Sequence, residues 1–210
     1  MNRNLPVLYS FRRCPYAMRA RMALRYAGIK VELREVVLSD KPTELIAASP
    51  KGTVPVMVFD GEVIEESLDI MLWALGINDP VGWLDGSEEA LKLIKVNDLV
   101  FKTHLDGYKY AGSNAEETRL VHRSAAEKVI VDINSQLANR SFLLGDKPGL
   151  ADFSLLPFIR QFVNVDINWF EAQPYSRLRK WLRGLLDSRI FADAMSKYPP
   201  WKRGDKITVF

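Results

Sequence analysis

The sequence predicts an α+β protein in two parts: a β-α-β-α-β-β-α unit over residues 1–76, a linker over 77–87, and an all-helical domain over 88–210. Three observations predict it. Strand and helix signals alternate through the first quarter of the chain. Asp60-Gly61 stands between two short apolar segments, Val56–Phe59 and Val63–Ile64, which is a strong two-residue hairpin signal. From Glu88 onward helical periodicity takes over and strand patterning almost vanishes.

"LPVLYS" (5–10) is an apolar run of strand length. Residues 15–27 read as a helix, because Ala17, Ala20, Leu24 and Ala27 share one face at helical spacing. Pro15 suits its first turn, where a missing N–H leaves nothing unpaired, and Gly28 supplies the stop. "KVELREVV" (30–37) reads as a second strand, and a strand-helix-strand connection makes the two parallel. "KPTELIAA" (41–48) is a short helix ended by Ser49-Pro50. After the hairpin, a helix runs from Ser67 to Leu75 and closes at Gly76. "INDPVGWLDGSEE" (77–89) is rich in turn formers. Helices are expected over 88–107, 115–139, 150–164, 174–187 and 189–196, with "GDKPG" (145–149) as a turn. The tail "YPPWKRGDKITVF" carries no clear assignment.

Composition narrows the function classes. Hydrophobic residues make up 48% of the 210 and charged ones 26%, as in an ordinary globular protein. The single cysteine, Cys14, excludes an internal disulfide framework and a multi-cysteine zinc site, and fits a reducing compartment. The N-terminal residues lack a signal-type apolar run, and no apolar stretch is long enough for a bilayer, so a soluble cytoplasmic protein is expected. The net charge of +3 is mild and the signs are interspersed. Arg12, Arg13, Arg19, Arg21 and Arg25 spread over more than one helix face and read as solvated surface, so neither nucleic acid nor membrane is an expected partner. His104 and His122 are the only histidines and have no companions at ligand spacing, so no metal is predicted. Phe101, Tyr108, Tyr110 and Trp169 fit either an apolar pocket or, more commonly for helical aromatics, core.

Cys14 carries the chemistry. Pro15 at the first helical position puts Cys14 at the N-cap, where a thiolate meets unpaired backbone N–H groups and the positive end of the helix dipole. Such placement lowers a thiol pKa to roughly 3.5–7.5, against about 8.5 for an unperturbed one. Arg12 and Arg13 push the same way. The alternative is a small buried hydrophobe without reactivity. In Cys-Pro-Tyr-Ala, position 17 is alanine, so an internal dithiol cycle is impossible and an outside thiol must resolve any mixed disulfide.

"CPYAMRARMALRYAGI", "LSDKP", "GTVPVMVFDGEVIEES" and "GLADFSLLPF" together resemble the cytosolic glutathione transferases, most closely their cysteine-type, omega-like members and bacterial relatives. The resemblance covers nearly the whole chain. It implies a thioredoxin-like first domain, glutathione as co-substrate, a small hydrophobic or disulfide second substrate, and a homodimer. It implies a cis bond between Val54 and Pro55, leaving the Val54 backbone to pair with an extended peptide. Glu66 and Ser67 at a helix start then suit the γ-glutamyl ammonium and carboxylate, Lys41 meets the glycine carboxylate, and Leu38 and Tyr16 flank the site. Taken singly, Glu66 and Ser67 also read as capping residues, Lys41 as a solvated charge, and Pro55 as an ordinary strand-entry proline. One departure is Gly149, where the family has a Ser or Thr cap three residues before Asp152. The expected activity is thiol transfer through Cys14. Conjugation to hydrophobic electrophiles, with Ser10 or Tyr16 near the thiol, and a non-enzymatic interaction module on the same fold are the alternatives.

Overall fold

The computed structural model describes residues 5–112 and 115–210. The first strand, β1 (Val7–Ser10), pairs in parallel with β2 (Glu32–Glu35), aligning Leu8 with Leu33 and Ser10 with Glu35. On its other side β1 pairs antiparallel with β3 (Val56–Phe59), which pairs with β4 (Glu62–Ile64), giving the order β2-β1-β3-β4. The hairpin between β3 and β4 turns on Asp60 and Gly61, with φ of 50° and 85°. Two positive φ values in succession make the primed turn whose twist matches the flanking strands.

Helix α1 (Pro15–Tyr26) links β1 to β2 and ends where Gly28 takes a φ of 69°. Helix α2 (Thr43–Ala48) leads to β3, and α3 (Ser67–Ile77) follows β4. Gly76 does not close α3; the helix runs through it and ends one residue later, since a lone glycine weakens a helix without stopping it. Tyr9, Val36, Leu45, Val54 and Val56 form a buried cluster in this unit, with Phe11 and Cys14 packed at its margin.

The second unit contains α4 (Ser87–Val96), a π-helical turn (Asn97–Phe101), α5 (Lys102–Tyr110), α6 (Glu116–Gln136), α7 (Leu150–Val163), α8 (Ile167–Ala172) and α9 (Ser176–Leu186). The helix expected over 88–107 is thus interrupted by a π turn, and α8 was not foreseen. Its start is set by Asp166, whose carboxylate accepts the Trp169 N–H at 3.0 Å, a cap that a six-residue element needs. Phe101 and Tyr108 are core, both packed on Phe162, while Tyr110 is exposed. His104 and His122 face each other across α5 and α6 with their Nδ1 atoms 3.1 Å apart, so each histidine is the other's partner. No described helix is long and apolar enough to cross a membrane.

The compact units are Met1–Val81 with Arg189–Phe210, and Gly82–Ser188. This differs from a helical domain running to residue 210. Helix α10 (Arg189–Ala194) packs on α1, and the unassigned tail joins the sheet. Val31 and Phe210 exchange backbone hydrogen bonds at 3.1 and 2.9 Å, Leu33 N–H donates to Thr208, and Trp201 N–H donates to the Glu35 carbonyl. The tail therefore covers the edge of β2. Its side chains meet arginines: Arg25 lies 4.0 Å from the Phe210 ring centroid and Arg34 4.3 Å from that of Trp201. Phe210 itself is buried.

The arginines of α1 correct the reading of a solvated surface. Arg19 and Arg21 are both 0% exposed. A buried guanidinium requires acceptors or aromatic faces. Arg21 finds Glu35, the Ser196 carbonyl and the rings of Tyr198 and Phe210; Arg19 lies over Tyr16.

Candidate active site

Cys14 occupies the N-cap of α1, with φ −74° and ψ 124°, and Pro15 follows at the first helical position. The chain reaches it through a tight turn, in which Cys14 N–H donates to the Phe11 carbonyl at 2.9 Å. The Cys14 carbonyl then accepts from Met18 N–H at 3.0 Å and starts the helix. The thiol is half-buried, and Sγ lies 3.4 Å from the Val54 carbonyl oxygen, to which it donates. The Val54–Pro55 bond is cis. Helix start and cis-proline loop, forty residues apart in sequence, thus meet at the sulfur.

The turn before Cys14 is held from outside. Arg12 N–H donates to Glu35 Oε1 at 2.7 Å, and the other oxygen of Glu35 receives Arg21 Nη1 at 3.2 Å. Burial pushes the Glu35 carboxyl above its usual range, against the pull of the Arg12 N–H and of Arg21. Burial likewise lowers the Arg21 guanidinium. Arg13 is exposed, its guanidinium 5.3 Å from the Phe11 ring centroid.

Ser67 is the first residue of α3 and is buried; Glu66 is its N-cap, with the carboxylate in solvent. Lys51 reaches Glu65 at 3.3 Å and Glu66 at 3.4 Å, and Ser49 Oγ donates to Glu65 Oε1 at 2.5 Å. The Ser49 hydroxyl and then Lys51 hold the Glu65 carboxyl below its usual range. Lys41 passes over Gly52, where an added Cβ would lie 3.4 Å from Lys41 Nζ and 2.9 Å from Ile46 Cδ1. Gly52 has a φ of 59°, so this close approach and the left-handed backbone both need glycine.

The structure thus puts Cys14 on Val54, Lys41 on the loop two residues before Val54, and Glu66 and Ser67 at the start of α3. Leu38 is exposed on the turn between Val37 and Asp40, and Tyr16 is half-buried beside Arg19. Sequence reasoning missed Glu35, Arg21 and Lys51. For Glu35 a signal existed: it alternates with Arg34 and shares the buried face of β2 with Leu33.

A thioredoxin-type sheet carrying a helix-capping cysteine opposite a cis-proline, followed by a helical unit, defines a glutathione-transferase architecture. Residues 8–80 match the family model "Glutathione S-transferase, N-terminal domain" and residues 80–184 match "Glutathione S-transferase, C-terminal domain". The chain belongs to the glutathione S-transferase family. It is 26% identical over 207 residues to a probable glutathione S-transferase, parA, of Nicotiana tabacum, covering 93% of this chain and 91% of the relative. It is 24% identical over 188 residues to glutathione S-transferase omega-1 of Mus musculus, covering 85% and 75%. Among solved structures, glutathione transferase Omega 3C of Trametes versicolor superposes with a TM-score of 0.79 at 19% identity, over 92% of this chain and 90% of the other.

Proposed function

We propose that this chain is a glutathione-dependent thiol transferase or reductase in which Cys14 is the nucleophile. The observation that carries the reading is the position of its sulfur: at the head of α1, after a turn that bears two arginines, and against the cis-proline loop. A cysteine forms the covalent bond itself. The Cys14 thiolate attacks the glutathionyl sulfur of a mixed disulfide, a new S–S bond forms, and the substrate leaves as its thiolate. The thiolate of a second glutathione then attacks that bond, oxidised glutathione departs, and the Cys14 thiolate returns. The reducing electrons come from the thiol of that second glutathione, whose sulfur ends in the disulfide product.

In this reading the tripeptide lies along Val54 and Pro55 as an added strand would. Its γ-glutamyl carboxylate takes the N-terminus of α3 at Ser67, its ammonium takes Glu66, and its glycine carboxylate takes Lys41, with Leu38 and Tyr16 at the margins. The substrate ammonium would replace Lys51 at Glu66. The Cys14 thiol, which donates to Val54 in the resting state, gives up that bond on ionising. The reading extends to a homodimer, as the resemblance implies, and to the cytoplasm, as the cysteine usage and apolar patterning suggest.

The test is Cys14→Ala in an exchange assay with a glutathionylated peptide. Exchange is expected to fall by about two orders of magnitude or more, since the nucleophile is removed. Undiminished exchange overturns the reading. Conjugation of an aryl halide that survives the substitution would instead mark a conjugating transferase, the activity the alternative reading assigns.

A further inference from the structure

Glu35 sits at the end of β2 and has no place in the chemistry above. Its geometry nevertheless points at the thiol. The turn Phe11–Cys14 closes on its own bond from Cys14 N–H to the Phe11 carbonyl, and this leaves the Arg12 N–H outside the turn's bonding. Glu35 Oε1 takes that N–H at 2.7 Å. Its second oxygen takes Arg21, two turns along the helix that Cys14 caps. One carboxylate therefore grips the same body twice, once just before Cys14 and once in the middle of α1. The pair is anchored from behind: Arg21 Nη2 donates to the Ser196 carbonyl at 3.0 Å, and Trp201 N–H donates to the Glu35 carbonyl at 2.8 Å.

We infer that Glu35, braced by Arg21, is a positioning residue: it holds the Phe11–Cys14 turn so that the Cys14 sulfur stays at the head of α1. The inference rests on the reading of Cys14 as the attacking group and adds the element that aims it. A carboxylate is required because both partners are donors and an ionised carboxylate only accepts. Glutamine has the same shape, but its NH2 group would stand where one of the two carboxylate oxygens now accepts, so the bond to Arg12 or to Arg21 is lost.

The test is Glu35→Gln, followed through the pH dependence of Cys14 alkylation by iodoacetamide. The direction of the change decides. If Glu35 positions the turn, the substitution loosens Cys14 from the helix start and the midpoint rises. A rise of about one unit is expected, so that alkylation at any pH below both midpoints falls about tenfold. If Glu35 acted only as a nearby negative charge, its loss would lower the midpoint; if its role were fold stability alone, the midpoint would not move. Either outcome overturns the inference. Amide exchange of the unmodified protein is the second measurement: the Arg12 N–H is expected to be protected like the β2 amides, and exchange at the rate of an open turn overturns it. A wild-type Cys14 midpoint near 8.5 would sink the nucleophile reading separately, while the Arg12 amide would still report on the brace.

Discussion

At the scale of single residues, the site is a set of donors and acceptors brought from distant positions. Ser67 is buried at the first position of α3, and Glu66 occupies its N-cap position with the carboxylate in solvent beside Lys51. If they hold the γ-glutamyl end, Glu66→Ala and Ser67→Ala should each weaken glutathione binding roughly tenfold, about 1.4 kcal/mol, in titration calorimetry. Both should leave the alkylation midpoint of the unliganded thiol where it was, because the role assigned to them is to hold the tripeptide. Unchanged affinity in both variants would assign these residues to helix capping alone. Cys14, Val54, Pro55, Lys41, Glu66 and Ser67 were read as a set only through the family resemblance of the motifs that hold them, since each taken singly has an ordinary structural reading. Glu35 and Arg21 were not, because their partners are set by the sheet register and by a tail that no local pattern reveals. Arg12, Arg13, Arg19, Arg21 and Arg25 read as a wet face, yet only the last three lie on α1, which is wrapped on several sides, and Arg19 and Arg21 are buried.

At the scale of the element, α7 shows how a weak cap is strengthened. Gly149 has no side chain, so only the returning half of a capping box exists: Asp152 Oδ2 accepts the Gly149 N–H at 3.0 Å. The other oxygen accepts Leu143 N–H at 3.0 Å and Trp181 Nε1–H at 2.7 Å. The buried carboxylate thus joins the loop before α7, the helix itself and α9. Asp152→Ala would leave three donors with no acceptor, two of them in the buried interior, and is expected to cost about 3 kcal/mol in urea denaturation. Burial raises the Asp152 pKa despite these three bonds. A raised native pKa contributes stability at pH below the unfolded value and loses it as pH rises through the native one. Asp152→Asn should therefore flatten that part of the stability profile, and a profile unchanged in shape would contradict the assignment. The parallel pairing of β1 with β2, the hairpin at Asp60-Gly61 and the start of α7 were readable from sequence. The π-helical turn was not, since one extra residue per turn scarcely alters apolar spacing over 97–101.

At the scale of the whole molecule, the departure from expectation lies in the tail. Residues after 196 have little periodicity, and their order comes from β2, from aromatic rings on arginines and from the ion pair of Arg203 with Glu44. Removing residues 201–210 would strip partners from Val31, Leu33 and the Glu35 carbonyl and expose the β2 edge. The truncated chain is expected to lose at least about 3 kcal/mol, of which burial of Phe210 alone accounts for roughly 1.5–3, and to self-associate through the open edge in light scattering. A monodisperse truncation of full stability would show that the tail is ornamental. The covering of β2 by residues that lie beyond Ser188 also bears on how the protein is made. Synthesis is vectorial, so the nascent sheet must wait, one flank bare, while residues 82–188 leave the ribosome. Expressed by itself, the segment 1–81 would never receive the tail that closes its edge.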